Sequence, residues 1–141
     1  MNKKIVVILS LTILAILAVG AVSAAEVTIG GLNFTVPDGY KENVTQEIVN
    51  SENQVGRINY TMNAKVFEKG NSEIAVLVSD YGIYNVTDEI VQLVGGQQKT
   101  IKNVSGFYNM DGNFTSFSFA KNGDLVVLSA NDEKAIEDFL G

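Results

Sequence analysis

The sequence contains no histidine, no cysteine and no tryptophan, and it has a single proline among its 141 residues. Without histidine or cysteine, the chain lacks the usual general base, the thiol nucleophile, and the side chains that most often hold zinc or iron. Disulfides are excluded, so stability must come from packing and sheet hydrogen bonds. The chain also has no phosphate-binding glycine loop and no Gly-x-Ser-x-Gly pattern. We therefore expect no enzymatic activity, no catalytic residue, no metal site and no cofactor.

Positive charge is scarce: 10 lysines and arginines stand against 16 aspartates and glutamates, a net charge of −6. Lys3 and Lys4 precede the folded part, so from residue 25 onward the net charge falls by two, from −6 to −8. An acidic surface of this kind disfavours binding to nucleic acid and to anionic lipid. It is compatible with binding cations or basic surfaces.

The N-terminus carries the only long apolar run of the sequence. Lys3 and Lys4 precede residues 5–22, which are apolar except for two hydroxyl residues and one glycine, and small residues follow. This order is typical of a secretory signal peptide, which we predict over residues 1–24. The run of 18 residues is also long enough for an uncleaved membrane anchor, which stays the alternative. In both cases residues 25–141 are exported and form one domain.

Residues 25–141 alternate between strand-like and helical patterns. A Gly30-Gly31 turn joins two alternating strands, and residues 73–79 read as a central strand covered on both faces. We interpret residues 41–57 as a long loop with one helical turn. The pattern predicts an α+β domain with a mostly antiparallel sheet of six or seven strands and two short helices, at residues 87–95 and 132–140. Predicted strands in the last third span residues 97–109, 113–121 and 124–130.

A weak internal repeat is visible in the domain. Asn59-Tyr60-Thr61 and Asn113-Phe114-Thr115 each begin a strand, and each is followed by a lysine-and-glycine turn, an apolar strand and a capped helix. The repeat is consistent with two ββα units on one sheet, with both helices packed on a single face. The alternative is that any two units of hairpin and helix look alike.

Acceptor patterns for N-linked sugar, Asn-x-Ser/Thr, are the clearest signal in the exported part. Its 13 asparagines and 14 serines and threonines would give about 1.6 such patterns by chance, given the motif's false-positive rate. The sequence has six, so we predict an N-glycosylated protein. The middle residue of each pattern is apolar or aromatic, and we expect it to point inward while the asparagine points to solvent. The glycosylation candidates are Asn33, Asn43, Asn59, Asn85, Asn103 and Asn113.

Two features near residue 80 are candidates for a ligand site. Tyr81 and Tyr84 lie in a glycine-containing loop and would form an exposed ligand-binding patch, unless they pack against the loop itself. Asp80, Asp88 and Glu89 flank that loop, and a hydrolase that uses only carboxylates would need two of them to converge in a cleft. Helix capping and solvation explain these acidic residues with fewer assumptions.

The stretch GLNFTVPDGY, from Gly31 to Tyr40, carries two resemblances. With the N-terminal apolar run, the asparagine-rich strands and the lack of cysteine, the chain resembles small exported proteins of methanogenic archaea. The stretch is also similar to the first hairpin of the PsbP/Mog1/DcrB-like α+β domains. That resemblance implies an antiparallel sheet between helices and a role in binding or assembly, and it implies no catalytic residue.

We therefore expect an extracellular or cell-envelope protein that acts as a non-enzymatic binding or structural module. Its expected partner is an unknown envelope protein or polysaccharide, with no nucleic acid, and with membrane contact only through residues 5–22 if they are not cleaved. A secreted hydrolase dependent on aspartate or glutamate is one alternative. A membrane-tethered accessory protein of an envelope complex is the other.

Overall fold

A computed structural model describes residues 25–141, so the predicted signal peptide at residues 1–24 lies outside the described part. Within residues 25–141 ten strands form: β1 Ala25–Ile29, β2 Leu32–Val36, β3 Lys41–Glu42, β4 Ile48–Val55, β5 Ile58–Lys69, β6 Ser72–Asp80, β7 Gln97–Ile101, β8 Val104–Asp111, β9 Phe114–Lys121 and β10 Asp124–Ala130. Helix α1 spans Asp88–Val91 and continues as a 3-10 turn, Gln92–Val94; helix α2 spans Glu133–Leu140; a further 3-10 turn spans Val44–Gln46. Between residues 25 and 141, no helix has both the length and the apolar character needed to cross a membrane.

Eight of the strands form one antiparallel sheet, and β1 and β2 form a separate hairpin. The order in the sheet is β3-β5-β6-β10-β9-β8-β7, and β4 pairs with the first half of the long strand β5. β6 lies between β5 and β10, which agrees with its nearly continuous apolar sequence. The broad α+β class with a mostly antiparallel sheet and two short helices is confirmed, whereas the expected count of six or seven strands is wrong.

Two predicted segments account for most of the missing strands. Residues 41–57, interpreted as a loop, contain β3, a 3-10 turn and β4, whose register shifts near Asn50, where φ is +48°. The predicted strand at residues 97–109 is instead the hairpin of β7 and β8. Its turn residues, Lys102 and Asn103, both adopt positive φ, at 50° and 66°. The hairpin has no glycine in its turn, and therefore the usual sequence signal for such a turn is missing.

The main core lies on one face of the sheet, which we call the hairpin face. The β1–β2 hairpin and α2 cover it, and apolar residues of β6, β9 and β10 fill it. Ile136 of α2 is fully buried, and the ring of Phe139 lies 5.3 Å from that of Phe67. Phe67 is paired with Ile74 of the neighbouring strand β6. The side chain of Asp132 caps α2 by accepting a hydrogen bond from the Ala135 amide at 2.9 Å. Helix and hairpin together thus cover the apolar core on this face.

The opposite face is covered only in part, by α1 and the loop before it. α1 packs against β8 and β9, above residues such as Ser118, which is 2% exposed. Cross-strand pairing places Ser118 beside Phe107 and Val127, on the face away from Phe67. The two helices therefore lie on opposite faces, and the expectation that both pack on one face is wrong. We call this second face the groove face.

The internal repeat has a structural counterpart in two hairpins. Lys69 pairs with Ser72 at the turn of β5 and β6, and Lys121 pairs with Asp124 at the turn of β9 and β10, 52 residues later in both strands. At the same offset, three buried residues of β6 correspond to three of β10: Ile74, Val76 and Val78 with Val126, Leu128 and Ala130. The correspondence ends with the hairpins, because the helix after each one packs on a different face.

Candidate functional site

Residues 81–94, which we call the flap, lie across the groove face between β6 and β7. The flap leaves β6 through Gly82, whose φ is +65°, and ends at Gly95, whose φ is +87°. Its backbone is tied to the sheet where the Val86 amide donates to the Gly123 carbonyl at 2.9 Å. Val86 and Val91 are 5% and 1% exposed. These two valines hold the flap against the sheet.

Between the flap and the hairpin of β4 and β5 lies an apolar groove of about 350 Å³. Leu125 of β10 and the two flap valines are among the residues deeper in it, and no charged residue lines it. Several groove residues expose a large fraction of their side chains, with Leu93 at 84%, Val55 at 54% and Val94 at 48%. Contiguous exposed apolar surfaces of this kind are uncommon on soluble domains, so the groove is a candidate binding site. The rim is formed by Val55, Tyr84, Ile90, Leu93 and Val94.

The structure brings both predicted loop tyrosines to this groove. The ring of Tyr81 stacks on that of Tyr60 with centroids 4.9 Å apart, and burial, followed by the neighbouring Tyr60, raises the pKa of Tyr81. Tyr84 is 51% exposed at the rim. Tyr81 thus packs against the protein and shapes the groove, whereas the ring of Tyr84 is exposed at the rim.

Sequence reasoning missed the rim residues contributed by α1. The helical spacing of Ile90, Leu93 and Val94 predicts a buried stripe, yet all three are exposed and the buried residue is Val91. The reason is that the helix lasts only four residues before it tightens into a 3-10 turn, which changes the direction of each later side chain. The available signal was composition: apolar residues on every side of a helix too short to bury them all.

The acidic residues around the loop do not converge. Asp80 lies on the hairpin face, where its Oδ1 accepts a hydrogen bond from the Gly82 amide at 2.8 Å. Asp88 and Glu89 lie on the groove face, beside Gln98 and Phe107. Within residues 25–141, no group of three or more acidic side chains is arranged to hold a metal ion. Burial, followed by the charge of Asp80, raises the pKa of Asp124, the first residue of the neighbouring strand β10.

A second depression, which we call the polar cleft, lies at the same end of the sheet. It has a volume of about 460 Å³ and lies next to the groove, because Tyr60 of the cleft stacks on Tyr81 of the groove. Cross-strand pairing places Glu52 beside Thr61 and Thr61 beside Asp80, on one face of three neighbouring strands. The side chains that line it from this face are polar or charged: Glu52, Gln54, Asn59, Thr61 and Asp80.

The six glycosylation candidates lie at the surface of the described residues, and five of them are exposed. The sixth, Asn43, is half-buried: its Nδ2 donates to Glu68 at 3.0 Å and its Oδ1 accepts from the Thr45 hydroxyl at 2.6 Å. The expectation for the middle residue holds at Phe34 and Val86 but is wrong at Val44, which is 68% exposed. These patterns lie in turns and strands alike, so they do not mark a single face.

The pattern that begins at Asn113 departs furthest from the expectation. Phe114, its middle residue, is 48% exposed, and Thr115 is 7% exposed, the reverse of the expected arrangement. The reason is that Asn113 lies in the turn between β8 and β9, while Thr115 faces the covered side of β9. Its threonine hydroxyl is therefore the least accessible part of this acceptor pattern.

No protein-family model, no curated protein and no solved structure matches the chain. Its candidate sites are therefore defined by their own geometry.

Proposed function

We propose that the chain is an exported, N-glycosylated protein of the cell envelope or exterior that acts as a non-enzymatic binding module. Its ligand is an apolar segment of a partner protein, which inserts between the flap and the β4–β5 hairpin. The observation that carries this proposal is the open apolar groove, at whose rim Leu93 is 84% exposed. Export and glycosylation are supported by the N-terminal apolar run and by the six acceptor patterns.

A protein partner fits the groove better than a lipid surface does. The groove is short and is lined by side chains of the strands and of the flap. Its volume matches one or two anchoring side chains of a partner protein. The net charge of −8 from residue 25 onward opposes approach to anionic lipid headgroups. The same charge favours a partner whose apolar anchor is flanked by basic residues. If residues 5–22 are retained, they would tether the same binding module to the membrane.

The alternative of a carboxylate-dependent hydrolase at the flap has less support than the binding module. Such an enzyme would place two carboxylates within about 5 to 10 Å on either side of the scissile bond. Asp80 lies on the opposite face of the sheet from Asp88 and Glu89. The groove itself, lined by apolar side chains, holds no acid–base pair.

The test is site-specific photo-crosslinking in the cells that make the protein. A photoreactive amino acid replaces Leu93 or Tyr84 at the groove rim in two variants. In two matched controls it replaces Val44 or Met110, which are 68% and 67% exposed but lie outside the groove. We expect one identified protein to be crosslinked from the rim positions and not from the controls.

Binding of the purified pair then decides the proposal. Because the exposed Leu93 side chain would be buried by the partner, and burial of a leucine contributes about 1.5 to 3 kcal/mol, Leu93→Ser should raise the Kd by at least about tenfold. Val44→Ser should leave it unchanged. Equal crosslinking from all four positions, crosslinking to lipid alone, or an affinity insensitive to Leu93→Ser would each contradict the proposal.

A further inference from the structure

We propose that the polar cleft on the hairpin face is a saccharide-binding site. The inference rests on the geometry of the cleft rather than on the apolar groove, and it holds whether or not the groove binds a protein. Its side chains offer carboxylates, amides and a hydroxyl within one depression of about 460 Å³. This volume is within the range of small-molecule sites, about 300 to 1,000 Å³.

The sheet register arranges these groups as a grid. Glu52, Thr61 and Asp80 are cross-strand neighbours in one row, so the row spans about 10 Å at the usual strand spacing. Gln54 and Asn59 form a second row two residues further along, at a distance of about 7 Å. A sugar ring presents hydroxyl groups around its edge on this scale. Carboxylates accept hydrogen bonds from such hydroxyls, and amides both donate and accept them.

Other ligand classes fit the cleft less well. No lysine or arginine lines it, so a phosphate or sulfate group would meet two carboxylates without a compensating cation. The acidic residues of the described chain include no set of three positioned for a metal ion. An apolar ligand would leave Gln54, Asn59 and Thr61 without hydrogen-bond partners, which is costly. An uncharged ligand rich in hydroxyl groups satisfies all of these side chains.

The sugar has two sources that share this chemistry. One is a soluble or envelope saccharide that enters the cleft from outside. The other is the protein's own glycan, because Asn59 is the asparagine of an acceptor pattern and is also an exposed residue of the cleft. This second source rests on the proposed glycosylation, and the first does not.

The first arm of the test uses protein exported into the periplasm of a bacterial host that has no N-glycosylation pathway. Amide chemical shifts are followed by NMR while chitobiose, mannobiose or cellobiose is added. We expect the amide signals of residues 52–54, 59–61 and 80–82 to shift, and those of helix α1 to stay in place. Gln54→Ala should raise the Kd about tenfold because it removes a hydrogen bond, and Glu52→Gln should have a similar effect because a neutral acceptor replaces a charged one. Gln98→Ala, on the groove face of edge strand β7, is the matched control and should leave the Kd unchanged.

The second arm compares this protein with the glycosylated form. If the glycan on Asn59 occupies the cleft, the same amides differ between the two forms and no longer respond to added saccharide. If they respond in both forms, the ligand comes from outside. The proposal is overturned if no saccharide of the panel shifts these amides and the two forms have identical shifts there. It is equally overturned if calcium chloride or lysine methyl ester shifts them and saccharides do not.

Discussion

The replacement Val91→Ala tests whether the flap is held to the sheet by buried valines rather than by its own helix. Val91 is 1% exposed, and the substitution removes two methyl groups at about 0.8 kcal/mol each, plus the cost of the space left behind. The higher helix propensity of alanine offsets about 0.5 kcal/mol of this. We therefore expect the flap to open at a free energy lower by about 1 to 2.5 kcal/mol, because α1 alone, at four residues, is too short to be stable.

Amide hydrogen exchange of the flap measures this change directly. The Ile90 and Val91 amides donate to the Thr87 carbonyl at 3.0 and 2.9 Å, and both should exchange about fivefold to seventyfold faster in the variant. Val94→Ala, at a residue 48% exposed, is the matched control and should change these rates by less than about threefold. Equal effects of the two substitutions would refute the anchoring role of Val91. A uniform acceleration of the β6 and β10 amides would show that the flap does not open separately.

Two further predictions concern the hairpin face. Gly30→Ala should lower the free energy of unfolding by about 2 to 4 kcal/mol, because Gly30 has a φ of +56° and the new Cβ would lie 2.9 Å from Val78. Gly31→Ala is the matched control: its φ is also positive, but open space surrounds it, so it should lower the free energy of unfolding by only about 1 to 2 kcal/mol. Equal costs in chemical denaturation would contradict the packing of this turn on β6. Burial, with a hydrogen bond to Asp138, raises the pKa of Tyr40 to about 12. The neutral Tyr40 hydroxyl therefore stabilises the fold fully below about pH 10, the pKa of an unfolded tyrosine, and this stabilisation is lost as the pH rises toward 12. Tyr40→Phe should cost about 1 kcal/mol at neutral pH and remove this alkaline loss, and an unchanged alkaline profile would argue against it.

The elements that sequence reasoning located correctly are those with a local cause. The first hairpin follows from the Gly30-Gly31 turn and the alternation on either side of it. The C-terminal helix follows from the capping side chain of Asp132. The central position of β6 follows from its nearly continuous apolar sequence. In each case the residues that determine the element also lie within it.

The choice of sheet face could not be read from the sequence. In β5, alternation predicts that Lys65 points to solvent, yet it shares the hairpin face with Phe67. Lys65 is accommodated there because its Nζ forms ion pairs with Glu42 at 2.8 Å and with Glu47 at 3.0 Å. Both glutamates belong to the segment interpreted as a loop, so the partners that make this orientation possible were not recognised.

In the candidate sites, too, some residues follow from a local sequence signal and others depend on long-range pairing. Tyr81 and Tyr84 were found from the loop that carries them, and the structure brings both to the groove. The rest of the groove depends on Val55, from another hairpin, and on a helix that tightens after four residues. The polar cleft depends on a register between three strands, one of which, β4, had no strand-like signal. Both sites are products of long-range pairing, which no single segment encodes.

The proposed function presupposes a protein that works outside the cell, and the intact mass of the natively produced protein tests this claim most directly. We expect a mass equal to that of residues 25–141 plus the mass of the attached sugars. Retention of residues 1–24 together with sugar would identify an exported, anchored form. A mass equal to the unprocessed and unmodified 141-residue chain would contradict the account.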